Sequence, residues 1–128
     1  MKRILIVDDE RDIVHLFALI LKENGYLVDT YTDPIRALEE FKVNYYDMII
    51  LDYRMEGLNG LELYQKIRAA DKSVKAMLLT AAHEQLALDV NHKWFLRVVG
   101  KPITGRTLLN KVATVLKQSN SLPDILTR

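Results

Sequence analysis

The chain has no cysteine, three histidines, three prolines, five glycines and one tryptophan among its 128 residues. Without cysteine it has neither a disulfide framework nor a thiolate metal site. The histidines, His15, His83 and His92, show no metal-ligand spacing and read as surface residues. An excess of charge is missing too. Eighteen Lys and Arg against seventeen Asp and Glu leave a net +1, which gives no global field to attract nucleic acid or anionic lipid. No apolar run approaches the ~20 residues that cross a bilayer. The first one, from Ile4 to Val7, is cut off by Asp8 too early for a signal peptide. The expectation is a soluble, cytoplasmic single domain with no membrane partner and no direct nucleic acid binding.

What is present is an alternation of apolar runs with helix-period segments. Residues 3 to 8 are apolar almost throughout, as in a strand covered on both faces. Residues 10 to 24 place Ile13, Leu16, Phe17, Ile20 and Leu21 at the spacing of one helical face, and Gly25 supplies a stop. Leu27 to Tyr31 forms a shorter, more polar strand. Asp33-Pro34 then offers an N-cap and a proline at the first helical position, with Leu38 and Phe41 inward. A third strand over 47 to 52 opens into a loop with Gly57 and Asn59-Gly60, and Leu63, Tyr64 and Ile67 mark the helix beyond. Strands near 75 to 80 and 95 to 99 follow, with a weakly periodic helix between His83 and His92. The last helix runs from about Thr104 to Gln118, with Leu108, Val112, Val115 and Leu116 inward. This order implies an α/β fold: a doubly wound, five-stranded parallel sheet with helices on both faces and right-handed crossovers. Residues 1–118 make the domain, and 119–128 read as a C-terminal tail or linker stump.

Four apolar runs each stop on a polar residue. Ile4-Leu5-Ile6-Val7 runs into Asp8-Asp9, Met48-Ile49-Ile50-Leu51 into Asp52, Met77-Leu78-Leu79 into Thr80, and Val98-Val99-Gly100 into Lys101. In open parallel sheets the carboxyl ends of the strands form the ligand-binding edge. Three carboxylates gathered there repel one another unless a cation neutralises them, and a hard divalent ion such as magnesium suits oxygen ligands of this kind. A carboxylate can also act as a nucleophile toward phosphorus. The transferred group then needs positive charge and hydrogen-bond donors, which Lys101 and Thr80 are of the type to supply. Taken singly, each residue has a plainer use. Asp8 and Asp9 can cap a helix, Asp52 can open an Asx-turn, Thr80 can be an ordinary strand-end hydroxyl and Lys101 a solvated side chain. Their common placement at strand ends is what favours a shared site.

These motifs resemble the receiver domain of bacterial-type response regulators, the phosphoacceptor half of two-component signalling. The resemblance runs from about Lys2 to Lys117. It is carried by Ile-Leu-Ile-Val-Asp-Asp-Glu, Met-Ile-Ile-Leu-Asp-Tyr-Arg-Met-Glu-Gly-Leu-Asn-Gly, Leu-Leu-Thr-Ala and Gly-Lys-Pro-Ile. It implies a flavodoxin-like, CheY-like fold with strand order 2-1-3-4-5. It also implies Asp52 as acceptor of phosphate from a sensor histidine kinase, a phosphotransfer protein or a small acyl phosphate. Asp8, Asp9, Asp52 and the backbone carbonyl of Arg54 would hold Mg2+, or Mn2+ in its place. Lys101 and the Thr80 hydroxyl would bind the phosphoryl oxygens, the small Ala81 would leave room beside the acceptor, and Lys101-Pro102 would be cis. The state of Asp52 would bias a two-state equilibrium read by a downstream protein or a covalently linked output domain, with a homodimer as a further form.

The chain departs from that pattern in places. Glu56 stands where the loop commonly has proline, and Val98 replaces the usual Tyr or Phe three residues before the lysine. Asn91-His92-Lys93 replaces the small-residue turn before the fifth strand, at the family's common dimer face. With no ring at 98, transmission would use another route, such as Trp94 or Phe95, or the segment after Thr80. Arg54 could lean over the site mouth and tune hydrolysis, or be a solvated side chain or a partner of Glu56. Two other classes compete. A haloacid-dehalogenase-like enzyme with an aspartyl-phosphate intermediate needs an acid two residues past the nucleophile, where Arg54 stands. A degenerate receiver would bind partners without phosphorylation. The reading adopted is a phosphorylation-switched signalling domain, not a turnover enzyme.

Overall fold

A computed structural model describes residues 1–81 and 96–117. The five strands are β1 (Arg3–Val7), β2 (Leu27–Tyr31), β3 (Met48–Asp52), β4 (Lys75–Thr80) and β5 (Leu96–Gly100). The helices described are α1 (Arg11–Glu23), α2 (Pro34–Glu39), α3 (Gly60–Ala70) and α4 (Gly105–Lys117). All strand pairs are parallel and the order is β2-β1-β3-β4-β5, as expected. The helix expected between His83 and His92, Trp94 and Phe95, and the tail 119–128 lie outside the described residues.

Alternation along each strand splits the core into two layers. Leu5, Val7, Ile49, Leu51, Ala76 and Leu78 face Ala37 of α2 and Leu63, Tyr64 and Ile67 of α3. Ile4, Ile6, Met48, Ile50, Met77 and Leu79 face α1 and α4. Both faces of β1, β3 and β4 are therefore covered, which is why these strands are apolar runs and do not alternate with polar residues.

The helices follow their local signals, with one rotation to correct. Asp33 accepts from the Ile35 amide at 2.9 Å, and Pro34 occupies the first turn of α2 as expected. In α1 the buried stripe is Val14, Phe17, Ala18 and Leu21, with Ile13 and Ile20 half-buried. Leu16, expected inward, is 49% exposed. At ~100° per residue the five large apolar side chains centre roughly a quarter-turn from the sheet-facing stripe. The smaller Val14 and Ala18 take inner positions beside Phe17 and Leu21. Leu38 and Phe41 are half-buried against the α2–α3 layer, Phe41 from beyond the end of α2. Leu108, Val112 and Val115 of α4 are buried as expected, and Leu116 is half-buried. Among the described residues, no helix is long and apolar enough to cross a membrane.

Candidate functional site: an acidic rim with one lysine

Register brings the four run-ending positions to one edge. Val7 lies opposite Leu51, Asp52 opposite Leu79 and Thr80 opposite Gly100. Asp8 thus emerges beside Asp52, and the Lys101 amide donates to the Thr80 carbonyl at 3.0 Å. Carboxylate oxygens of Asp8, Asp9 and Asp52 lie within 4.8 Å of one another. Lys101 Nζ is 2.5 Å from Asp52 Oδ1, 3.9 Å from Asp8 Oδ2 and 3.9 Å from Glu10 Oε1. Asp8, Asp52 and Thr80 are buried, while Asp9 is exposed. The structure brings Asp8, Asp9, Asp52 and Lys101 together, with Thr80 ending a strand on the same edge. Asp8 is not the cap of α1, whose N-cap is Glu10 without a side-chain cap hydrogen bond; its Oδ1 instead accepts from the Glu10 amide at 2.9 Å. Its other oxygen, Oδ2, is the one 3.9 Å from Lys101 Nζ.

The acceptor loop is fixed by backbone contacts that tolerate no side chain at Gly60. A Cβ there would sit 2.3 Å from the Asp52 carbonyl oxygen and 2.5 Å from Leu78 Cδ1. The helix start and the acceptor backbone touch because the residue between them is glycine. Asn59 accepts from the Glu62 amide at 2.8 Å and Glu62 accepts from the Asn59 amide at 2.9 Å, a reciprocal capping box. The Tyr53 amide donates to the Leu79 carbonyl, and the Gly60 amide to the Tyr53 carbonyl, each at 2.8 Å. The loop is thereby tied to β4 on one side and α3 on the other. Asn59-Gly60-Leu61-Glu62 carried this capping signal in the sequence, where only a turn was read. Glu10, to which the sequence assigned no role, lies 3.9 Å from Lys101 Nζ.

Arg54 is exposed and lines a groove with Asp9, Tyr53, Met55, Glu56 and Asn59. Among the described residues it makes no ion pair with Glu56. The Lys101-Pro102 peptide is cis, as expected. Val98 is half-buried against the α2–α3 layer.

The electrostatics are those of an under-neutralised pocket. Burial pushes the Asp8 carboxyl up to about 6, with the charge of Asp52 adding to it and the Glu10 amide and Lys101 holding it back. Burial also raises Asp52, against the opposing hydrogen bond and charge of Lys101. Burial disfavours the Lys101 ammonium, but Asp52, Asp8 and Glu10 outweigh it and its proton is held more tightly than usual. Three carboxylates against one ammonium leave a surplus of two negative charges when all are ionised. Asp8 Oδ2 is buried with no hydrogen-bond partner. Orphaned buried carboxylate oxygens are costly, and this one belongs to an all-oxygen cluster of the size and hardness that suit Mg2+. The residues fit a divalent cation.

A parallel 2-1-3-4-5 sheet with an acidic carboxyl edge defines the flavodoxin-like class. The response regulator receiver domain family matches residues 4–113, and the chain belongs to that family. Among curated proteins it is 32% identical to the regulatory protein VanRB of Enterococcus faecalis, over 94% of this chain and 54% of that protein. It is 33% identical to the response regulator ArlR of Staphylococcus aureus, over 92% of this chain and 54% of that protein. The chain thus spans about half the length of these curated relatives. Among solved structures it is similar to the response regulator protein TrrA from Thermotoga maritima in complex with Mg2+-BeF. That similarity has 37% identity and TM-score 0.76, covering 90% of this chain and 99% of that one. It is also similar to a chain in the complex of histidine kinase ThkA with TrrA, at 39% identity and TM-score 0.77, covering 91% and 100%. Residues 4–113 are thus a response regulator receiver domain.

Proposed function

We propose that Asp52 accepts a phosphoryl group from a histidine kinase or phosphotransfer protein, and that its phosphorylation switches the domain's interactions. The observation that carries this reading is the buried Asp52 carboxylate, gripped on one oxygen by Lys101 and flanked by Asp8 and Asp9. The second Asp52 oxygen attacks phosphorus. A P–O bond to Asp52 forms as the donor's P–N bond, or the P–O bond of an acyl phosphate, breaks; the imidazole or carboxylate leaves with the electron pair. Lys101 then turns its ammonium from the carboxylate to the phosphoryl oxygens, and the Thr80 hydroxyl donates to another of them. Asp8, Asp9, Asp52 and the Arg54 carbonyl would hold Mg2+, with Mn2+ an alternative for the same oxygen set. Bound there, the ion would offset the surplus negative charge and draw phosphoryl oxygens toward the acceptor.

Support for the kinase as partner comes from the complex of ThkA with TrrA, and for the cation from the Mg2+-BeF complex of TrrA. The receiver comprises residues 1–118, with 119–128 a tail or linker toward a downstream protein or linked output domain. Its place is the cytoplasm, where kinase and acyl phosphates meet it. Incubation of the full chain with Mg2+ and acetyl phosphate tests the reading. Intact-mass spectrometry should show one added phosphoryl group, absent in Asp52→Asn. No gain from either acetyl phosphate or a phosphorylated kinase would support a binding-only module instead.

A further inference from the structure

At the foot of β4, opposite the phosphoryl edge, Lys75 is the one buried cation among the described residues, 7% exposed. A strand whose other members are Ala76, Met77, Leu78, Leu79 and Thr80 is a costly place for an ammonium. Alternation puts Lys75 on the same face as Met77 and Leu79, the face packed against α4. Its Nζ donates to the Leu116 carbonyl at 3.3 Å, in the last turn of α4. The final carbonyls of a helix lack intrahelical donors and form the negative end of its dipole. A buried cation in need of acceptors and a helix end in need of donors therefore meet. Burial lowers the Lys75 proton affinity, as does Lys2 nearby, while Asp47 opposes this.

We infer that Lys75 is a positioning residue for the C-terminal turn of α4. Its ammonium clamps the last turn of α4 to the foot of β4 and so fixes the end of that helix against the sheet. An apolar side chain of similar length would fill the space at Lys75 and leave the helix end unclamped. This inference stands apart from phosphorylation of Asp52, since it concerns the opposite edge of the sheet.

Hydrogen exchange of the full chain, followed by mass spectrometry, tests it in Lys75→Met and Lys75→Arg. Lys75→Met should speed exchange of the amides in the last turn of α4 by about tenfold or more. Exchange in α3 should be unchanged, and the urea midpoint unchanged or higher, because an apolar side chain replaces a buried charge. Lys75→Arg should keep parental protection. Equal last-turn exchange in all three proteins would overturn the clamp. So would loosening of α3 and α4 together in proportion to a loss of global stability, which marks ordinary core damage. If Lys75→Met does not fold, Lys75→Gln, which keeps a donor without the charge, should fall between parent and fully loosened exchange; parental protection in it would refute a role for the charge.

Discussion

Lys101 Nζ and Asp52 Oδ1 lie 2.5 Å apart although their residues end β5 and β3, with β4 between them. The lysine reaches over the Thr80 end of β4 to pair with the acceptor. It therefore lies within 4 Å of carboxylate oxygens of Asp52, Asp8 and Glu10. Lys101→Ala should slow the initial rate of phosphorylation of Asp52 by acetyl phosphate by about tenfold or more at pH 7. It should also raise the Asp52 proton affinity further, because burial would then act without its main opponent. A rate within twofold of the parent would remove Lys101 from the chemistry.

Asp8 supplies a pH prediction. Its folded value, about 6, lies above the ordinary 3.8. Such a carboxyl contributes stability when protonated, fully present below the ordinary value and lost as pH rises through about 6. The gap corresponds to about 3 kcal/mol as a ceiling. Urea denaturation of the metal-free parent should therefore show stability falling from pH 4.5 to 7 by a component that Asp8→Asn lacks. At pH 7 without metal the variant should be the more stable protein. Added Mg2+ should reverse the order by stabilising the parent and not the variant. Identical pH profiles for the two proteins would refute the strained-carboxylate account.

Gly60→Ala would force a methyl group to 2.3 Å from the Asp52 carbonyl oxygen. Neither that backbone nor the capped start of α3 can move alone, so the substitution should cost about 2–3 kcal/mol. It should also slow phosphorylation by displacing the acceptor. Asn59→Ala, which breaks only the capping box, should cost about 1 kcal/mol with a smaller effect on rate. Equal effects of the two on rate would show that loop position does not matter to the acceptor.

Much of this was legible in the sequence, because parallel strands covered on both faces must be apolar and their ends are then conspicuous. Asp8, Asp52, Thr80 and Lys101 stood out as the first polar residues after Val7, Leu51, Leu79 and Gly100, and the register joins them on one rim. The rotation of α1 was not legible. Its apolar residues nearly encircle the helix, so their pattern does not say that Val14 and Ala18 rather than Leu16 turn to the sheet. The link from Lys75 to Leu116 was hidden for another reason: forty-one residues separate them, and no local pattern announces a lysine inside a buried strand. Glu10 escaped because an acid before a helix has an ordinary use, while its contact with Lys101 depends on the close of β5.

Location of the acceptor is the most direct test of the account. After incubation with Mg2+ and acetyl phosphate, borohydride reduces an aspartyl phosphate to homoserine, and peptide sequencing by mass spectrometry finds the converted residue. Conversion should occur at residue 52 and nowhere else, dependent on the divalent ion and diminished in Lys101→Ala. Homoserine at position 8 or 9, or a stable phosphoryl group on Thr80, would contradict the assignment.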